Sequence, residues 1–239
     1  MKRLALVPLL GLMALSVVSA QGTTYSTNFP LTESPISEGG RWINGQSVGL
    51  DWKNVTSTPG RVFGADASGN PNFNDPTALL TGTWGPDQTM QATVFSVNQQ
   101  TGSVYEEVEF RLRSTLSAHV NSGYEVNFRC THDGSQYVEI VRWNGPLGNF
   151  TYVQHVAGPG IRNGDTVRAS IVGNVITAYI NGVQVAQGTD STFTTGNPGI
   201  GFYLHGIANA NADYGFTGIT ASSGGAMPPT APSNLRIVP

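Results

Sequence analysis

Cysteine is almost missing from this chain. Cys130 is the single thiol among 239 residues, so no intramolecular disulfide can form and stability must come from packing or a bound ion. Charge is sparse too: 12 Lys+Arg stand against 15 Asp+Glu, a formal net charge of −3. No basic excess exists to hold nucleic acid or an anionic membrane surface. Apart from one run near the start, no apolar stretch is long enough to cross a bilayer. No helix-length stretch repeats its apolar residues every 3.6 positions. Zinc and haem spacings, a phosphate-cradling Gly loop and a Gly-x-Ser-x-Gly elbow are all absent.

The one apolar run, Leu4 to Val18, follows Lys2 and Arg3 and ends in the small residues Val18-Ser19-Ala20. That layout reads as a secretory signal peptide over 1–20. It predicts an extracellular or periplasmic location, with no membrane insertion once the signal is gone. Losing Lys2 and Arg3 would take the formal net charge from −3 to −5. The remainder divides into a domain over 21–221 and a Gly/Pro/Ser-rich linker or disordered tail over 222–239.

Short alternating runs fill the domain. In EVEFRLRS (107–114), Val108, Phe110 and Leu112 point one way, and Glu107, Glu109, Arg111 and Arg113 the other. In GYEVNFRC (123–130), Tyr124, Val126, Phe128 and Cys130 oppose Glu125, Asn127 and Arg129. The parity buries Cys130 as an inert thiol. Over 167–190, Gly173-Asn174 and Asn181-Gly182 punctuate β-branched runs, which predicts a three-stranded antiparallel meander. Its middle strand, Val175 to Ile180, is apolar on both faces, as a covered or central strand would be. Residues 30–87 hold Trp42, Trp52 and Trp84 in Gly/Pro/Asn/Asp-rich sequence, which predicts long loops and short strands. The fold class is therefore all-β, an antiparallel β-sandwich.

Glu109, Arg111, Glu125, Asn127 and Arg129 would form a charged patch if their strands are neighbours. Arg142, Trp143 and His205 would extend it. Such a patch can hold sugar hydroxyls or uronate carboxylates through forked hydrogen bonds. The same alternation also describes a plain solvated sheet face with internal ion pairs. In DASGNPNFND (66–75), Asp66, Asn70 and Asp75 offer oxygen ligands of the kind calcium takes. Asx-rich loops also arise from turn chemistry alone. No other cofactor is indicated.

Six segments together resemble the concanavalin A-like lectin/glucanase superfamily, with its laminin-G-like modules: GTWGPDQTMQATVF, EEVEFRLRS, GYEVNFRC, VEIVRWNGPLGNFTYV, GDTVRASIVGNVITAYINGVQV and GNPGIGFYLHG. The resemblance implies two bent sheets in a jelly roll, often with glycan on a concave face. Laminarinase-type enzymes of that fold carry Glu-x-Asp-x-x-Glu. Glu107 matches the first Glu, Glu109 matches the Asp by charge only, and Leu112 stands where the last Glu should be. This departure removes one carboxylate and argues against that chemistry. Jelly-roll lyases use Arg, His and Tyr, types present at Arg111, Arg129, Tyr152, His155, Tyr203 and His205, but their signature strings are missing. The expectation is a secreted, non-catalytic module that binds a polysaccharide or glycan, or another surface partner. The alternatives are a polysaccharide lyase or glycoside hydrolase, and an adhesion domain without a sugar site.

Overall fold

The computed structural model describes residues 22–65 and 75–224. The expected signal peptide, residues 225–239 of the expected C-terminal linker, and Asp66 and Asn70 of the expected calcium loop lie outside these; Ser222 and Ser223, expected in the linker, instead end the last strand, Tyr214–Ser223. Among the described residues fifteen strands carry the fold: β1 (Thr24–Thr27), β2 (Trp42–Asn44), β3 (Val55–Thr58), β4 (Arg61–Gly64), β5 (Thr77–Leu80), β6 (Gln88–Ser96), β7 (Tyr105–Ser117), β8 (Val120–Arg129), β9 (Tyr137–Gly145), β10 (Phe150–Ala157), β11 (Thr166–Val172), β12 (Val175–Ile180), β13 (Val183–Thr189), β14 (Asn197–His205) and β15 (Tyr214–Ser223). No helix among the described residues is long and apolar enough to cross a membrane.

Two antiparallel sheets pack face to face. One runs β10-β9-β8-β7-β14-β5-β2; the other runs β13-β12-β11-β6-β15-β4-β3, with β1 beside β15. Alternation sorts the side chains. Val108, Phe110 and Leu112 of β7, Val126 and Phe128 of β8, and Ile200, Phe202 and Leu204 of β14 face inward. They meet Met90, Ala92 and Val94 of β6, Ala169 and Ile171 of β11, and Phe216 and Ile219 of β15. Phe110 and Phe216 stack across the interface at 5.2 Å. Each such buried ring contributes about 1.5–3 kcal/mol. Cys130 is buried as its parity requires, and burial pushes its thiol pKa up.

Both turns of the meander close with two residues. Val172 pairs with Val175 across Gly173-Asn174, and Ile180 pairs with Val183 across Asn181-Gly182. Asn181 and Gly182 both take positive φ, 51° and 81°, which matches the twist of the flanking strands. The expectation of a middle strand apolar and covered on both faces holds in part. Ile176, Ala178 and Ile180 face the core, while Tyr179 is half-buried with the Arg168 guanidinium 3.7 Å above its ring. The N-terminal third is made of short strands, as expected. β2 and β5 end one sheet, and β3 and β4 end the other.

One parity expectation fails. Arg113 does not join Glu107, Glu109 and Arg111. The β7–β8 register shifts between Leu112 and Thr115, and Arg113 takes a positive φ of 47°. A bulge of this kind re-aims the side chain. Arg113 instead donates to the carbonyls of Pro86, Phe193 and Gly173.

Candidate functional site

The outer face of the seven-stranded sheet carries three rows of aligned residues. Tyr203, Glu107 and Arg129 form the first. Gly201, Glu109, Asn127, Glu139 and His155 form the second. Gly199, Arg111, Glu125, Val141 and Tyr152 form the third. The charged residues at the centre of this face are not solvated: Glu109 and Arg111 are 0% exposed, and Glu125, Asn127 and Arg129 are each 3%.

The cover comes from the segment between β2 and β3. Leu50 and Trp52 pack on Val141 and Trp143 as a second, smaller hydrophobic cluster on the outer face. Trp52 meets Trp143 at 4.3 Å between ring centroids, and the Arg111 guanidinium lies 5.0 Å from the Trp52 ring. Asp75 arrives just before β5 and completes the enclosure.

Beneath this cover Arg111 pairs with Glu109 and Glu125, and lies 3.5 Å from Asp75. Asp75, Glu109 and Glu125 stand close enough to share a metal ion. Arg111 is the cation among them, and Trp143 Nε1 also donates to Glu125 at 2.6 Å. Asp75 and Glu109 are both pushed above the usual carboxylate range, first by burial and next by the charge of Glu125, while Arg111 pulls them back. Asp75, expected in a calcium loop, thus sits in an ion cluster with an arginine.

Gly201 makes room for this cluster. A Cβ there would run into Glu109 Oε2 and lie 2.6 Å from Arg111 Nη2. Both ends are locked by their partners, so Gly201→Ala should cost about 1–3 kcal/mol of stability, as overpacking does. Unchanged urea denaturation of that variant would show that the cluster can move aside.

Next to the cover the face opens as a groove of about 340 Å³. Glu107, Asn127, Arg129, Glu139 and Trp143 contribute to its lining, with the rings of Tyr105, Tyr137, Phe150, Tyr152, Tyr203 and His205 around them. Glu107 accepts from the Tyr137 hydroxyl. Glu139 accepts from Asn127 Nδ2 at 3.2 Å and lies 2.6 Å from His155 Nδ1. Burial, then the neighbouring Glu139, pushes Glu107 well up; burial also raises Glu139, with His155 pulling it back. Arg129 donates to the carbonyls of Ser135, Gly102 and Val104, and its guanidinium lies 4.3 Å from the Tyr105 ring and 5.5 Å from the Tyr137 ring. A larger hollow of about 580 Å³ lies on the other sheet. Its lining, Ser26 to Asn28, Gln91 to Thr93 and Thr217 to Thr220, holds no ionisable side chain.

The sequence-expected residues therefore divide. Glu125, Asn127, Arg129, Trp143 and His205 line the groove, and Asp75 reaches it from the side. Glu109 and Arg111 lie beneath it, fully buried. Arg142 lies elsewhere: neighbours in a strand face opposite ways, and Arg142 pairs with Asp190 at 2.5 Å and with Thr192. Tyr105, Tyr137, Glu139 and Tyr203 belong to the groove as well. The alternation Tyr137, Glu139, Val141, Trp143 against Val138, Ile140 was the available signal for two of them.

No family model matches this chain, and no curated protein sequence matches it. Solved structures do. The carbohydrate binding module CBM66 from Bacillus subtilis is 15% identical, with a TM-score of 0.50 over 79% of this chain and 95% of its own. A native glycosidic hydrolase is 14% identical, with a TM-score of 0.52 over 90% and 100%. The potassium-bound carbohydrate recognition domain of Emp46p is 14% identical, with a TM-score of 0.53 over 85% and 98%. At such identities the likeness shows the fold alone: a sandwich of two antiparallel β-sheets.

Proposed function

We propose that this protein is a secreted, non-catalytic carbohydrate-binding module that holds a saccharide in the groove of the seven-stranded sheet. The observation that carries this reading is the lining itself. Aromatic rings stand around a floor of carboxyl, amide and guanidinium groups. Rings supply apolar faces for sugar stacking, and the floor supplies partners for hydroxyls. The solved structures of similar fold include a carbohydrate binding module and a carbohydrate recognition domain, which agrees with it.

A glycoside hydrolase is the second reading. One observation favours it: Glu107 and Glu139 face the same groove with raised pKa values, as an acid–base pair would. Against it, Glu109 and Arg111 are sealed from substrate.

Retention of the protein on a panel of polysaccharides, with reducing ends measured in parallel, separates the two. Retention without new ends is expected. Tyr152 is 56% exposed at the groove margin, so Tyr152→Ala should weaken that retention roughly tenfold with the melting temperature unchanged. New reducing ends would replace the module reading with the hydrolase one.

A further inference from the structure

The acids of the groove outnumber its cations. Asp75, Glu107, Glu125 and Glu139 line it, and Glu109 lies just beneath. Only two guanidinium groups answer them, and the terminal nitrogens of both are already engaged, while Nε of each has no partner. Arg111 is enclosed by Asp75, Glu109 and Glu125. Arg129 spends its terminal nitrogens on three loop carbonyls and lies between two tyrosine rings. Among the described residues no lysine or arginine pairs with Glu107 or Glu139. Glu107 has the Tyr137 hydroxyl, and Glu139 has Asn127 and the imidazole of His155.

A second observation points the same way. Asn127 is 3% exposed and lines the groove. Its amide nitrogen donates to Glu125 and Glu139, while its carbonyl oxygen Oδ1 has no partner. The floor is thus richer in acceptors than in free donors, the Nε–H of Arg129 being the unpartnered guanidinium donor in the lining. An ammonium group has the opposite character: three N–H donors, no acceptor and a positive charge.

Resting on the saccharide-binding reading, we infer that the groove is selective for amino sugars carrying free ammonium groups and turns away uronates and sulfated sugars. The ammonium would lie against Glu107 and Glu139, with Asn127 Oδ1 as a further acceptor. An anionic sugar would meet those same carboxyl groups with only the buried Nε–H of Arg129 to compensate. This reverses the uronate recognition that Arg111 and Arg129 suggest when they are read from sequence alone.

Calorimetric titration of the protein with three oligosaccharides of matched length tests the inference at neutral pH, where the raised carboxyls of Glu107 and Glu139 are closer to ionising than in acid. They are a fully deacetylated glucosamine oligomer, its N-acetylated counterpart and an oligogalacturonate. The glucosamine oligomer should bind roughly tenfold more tightly than the acetylated one, the equivalent of about 1.4 kcal/mol. The galacturonate should show no binding. Glu139→Gln should reduce the preference for the free amine, and Glu107→Gln should do the same as an independent check if either variant folds poorly. If the acetylated oligomer or the galacturonate binds as tightly as the glucosamine oligomer, the inference fails while saccharide binding stands. If none of the three binds and the polysaccharide panel is also not retained, both fall.

Discussion

Arg111→Met should lower the free energy of unfolding by about 3–5 kcal/mol, the usual penalty for removing one side of a buried ion cluster. Arg111 is the only cation touching Asp75, Glu109 and Glu125 among the described residues, and all four are at most 4% exposed. The methionine would fill much of the volume but leave three carboxyl groups facing one another. They would respond by holding protons, so the loss should be smaller at pH 5 than at pH 8. Arg111→Lys should fall between the two, because a point charge cannot reproduce the guanidinium fork. Urea denaturation at the two pH values measures all of this. Equal stability of Arg111→Met and the parent at pH 8 would mean that the three acids are neutral in the folded chain and need no cation.

The second large effect concerns Glu106, one residue from the groove face and therefore pointing the other way. It lies on the core side of β7 at 1% exposure, beside Cys130. Burial pushes its pKa from 4.5 to about 8; the Gln100 backbone pulls it back, and Asp213 adds to the rise. The sign follows from which state keeps the proton. A carboxyl raised in the folded chain favours folding fully below its unfolded value near 4.5, and that contribution is lost as pH climbs toward 8. Each pH unit between those values costs up to about 1.4 kcal/mol. The protein should thus be more stable at pH 5 than at pH 8, by on the order of 3 kcal/mol from this group. Asp75, Glu107, Glu109 and Glu139 are raised as well and act in the same direction. Glu106→Gln removes one of these contributions and should flatten the pH dependence, leaving the variant more stable than the parent at pH 8. Parallel stability curves for the two proteins would show that Glu106 ionises freely in the folded state.

Much of the sandwich was legible in alternation. Val108, Phe110 and Leu112 against Glu107, Glu109 and Arg111 fixed both the strand and its inward face. The positive-φ residues Asn181 and Gly182 fixed a hairpin, since few other residue types tolerate that backbone. The site was legible only as one face of two strands. Alternation tells which side a residue takes, not what will cover that side. Leu50, Trp52 and Asp75 come from sequence with no regular pattern, yet they turn a wet surface into a sealed ion cluster. Arg113 was misplaced for a related reason, because a bulge breaks the two-residue period without leaving a mark in composition. Arg142 was grouped with Trp143 although adjacent strand residues part company.

Arg129 carries a consequence for the way a ligand would be received. By holding Gly102 and Val104 on one side and Ser135 on the other, it fastens the two loops at that end of the groove to each other. The tyrosines on either side are held with them. A receptacle that is already rigid before its guest arrives loses little conformational freedom on binding. On the proposed reading, affinity would then follow from contact and charge rather than being diminished by the ordering of loops, and even a small saccharide would be held without the chain folding around it.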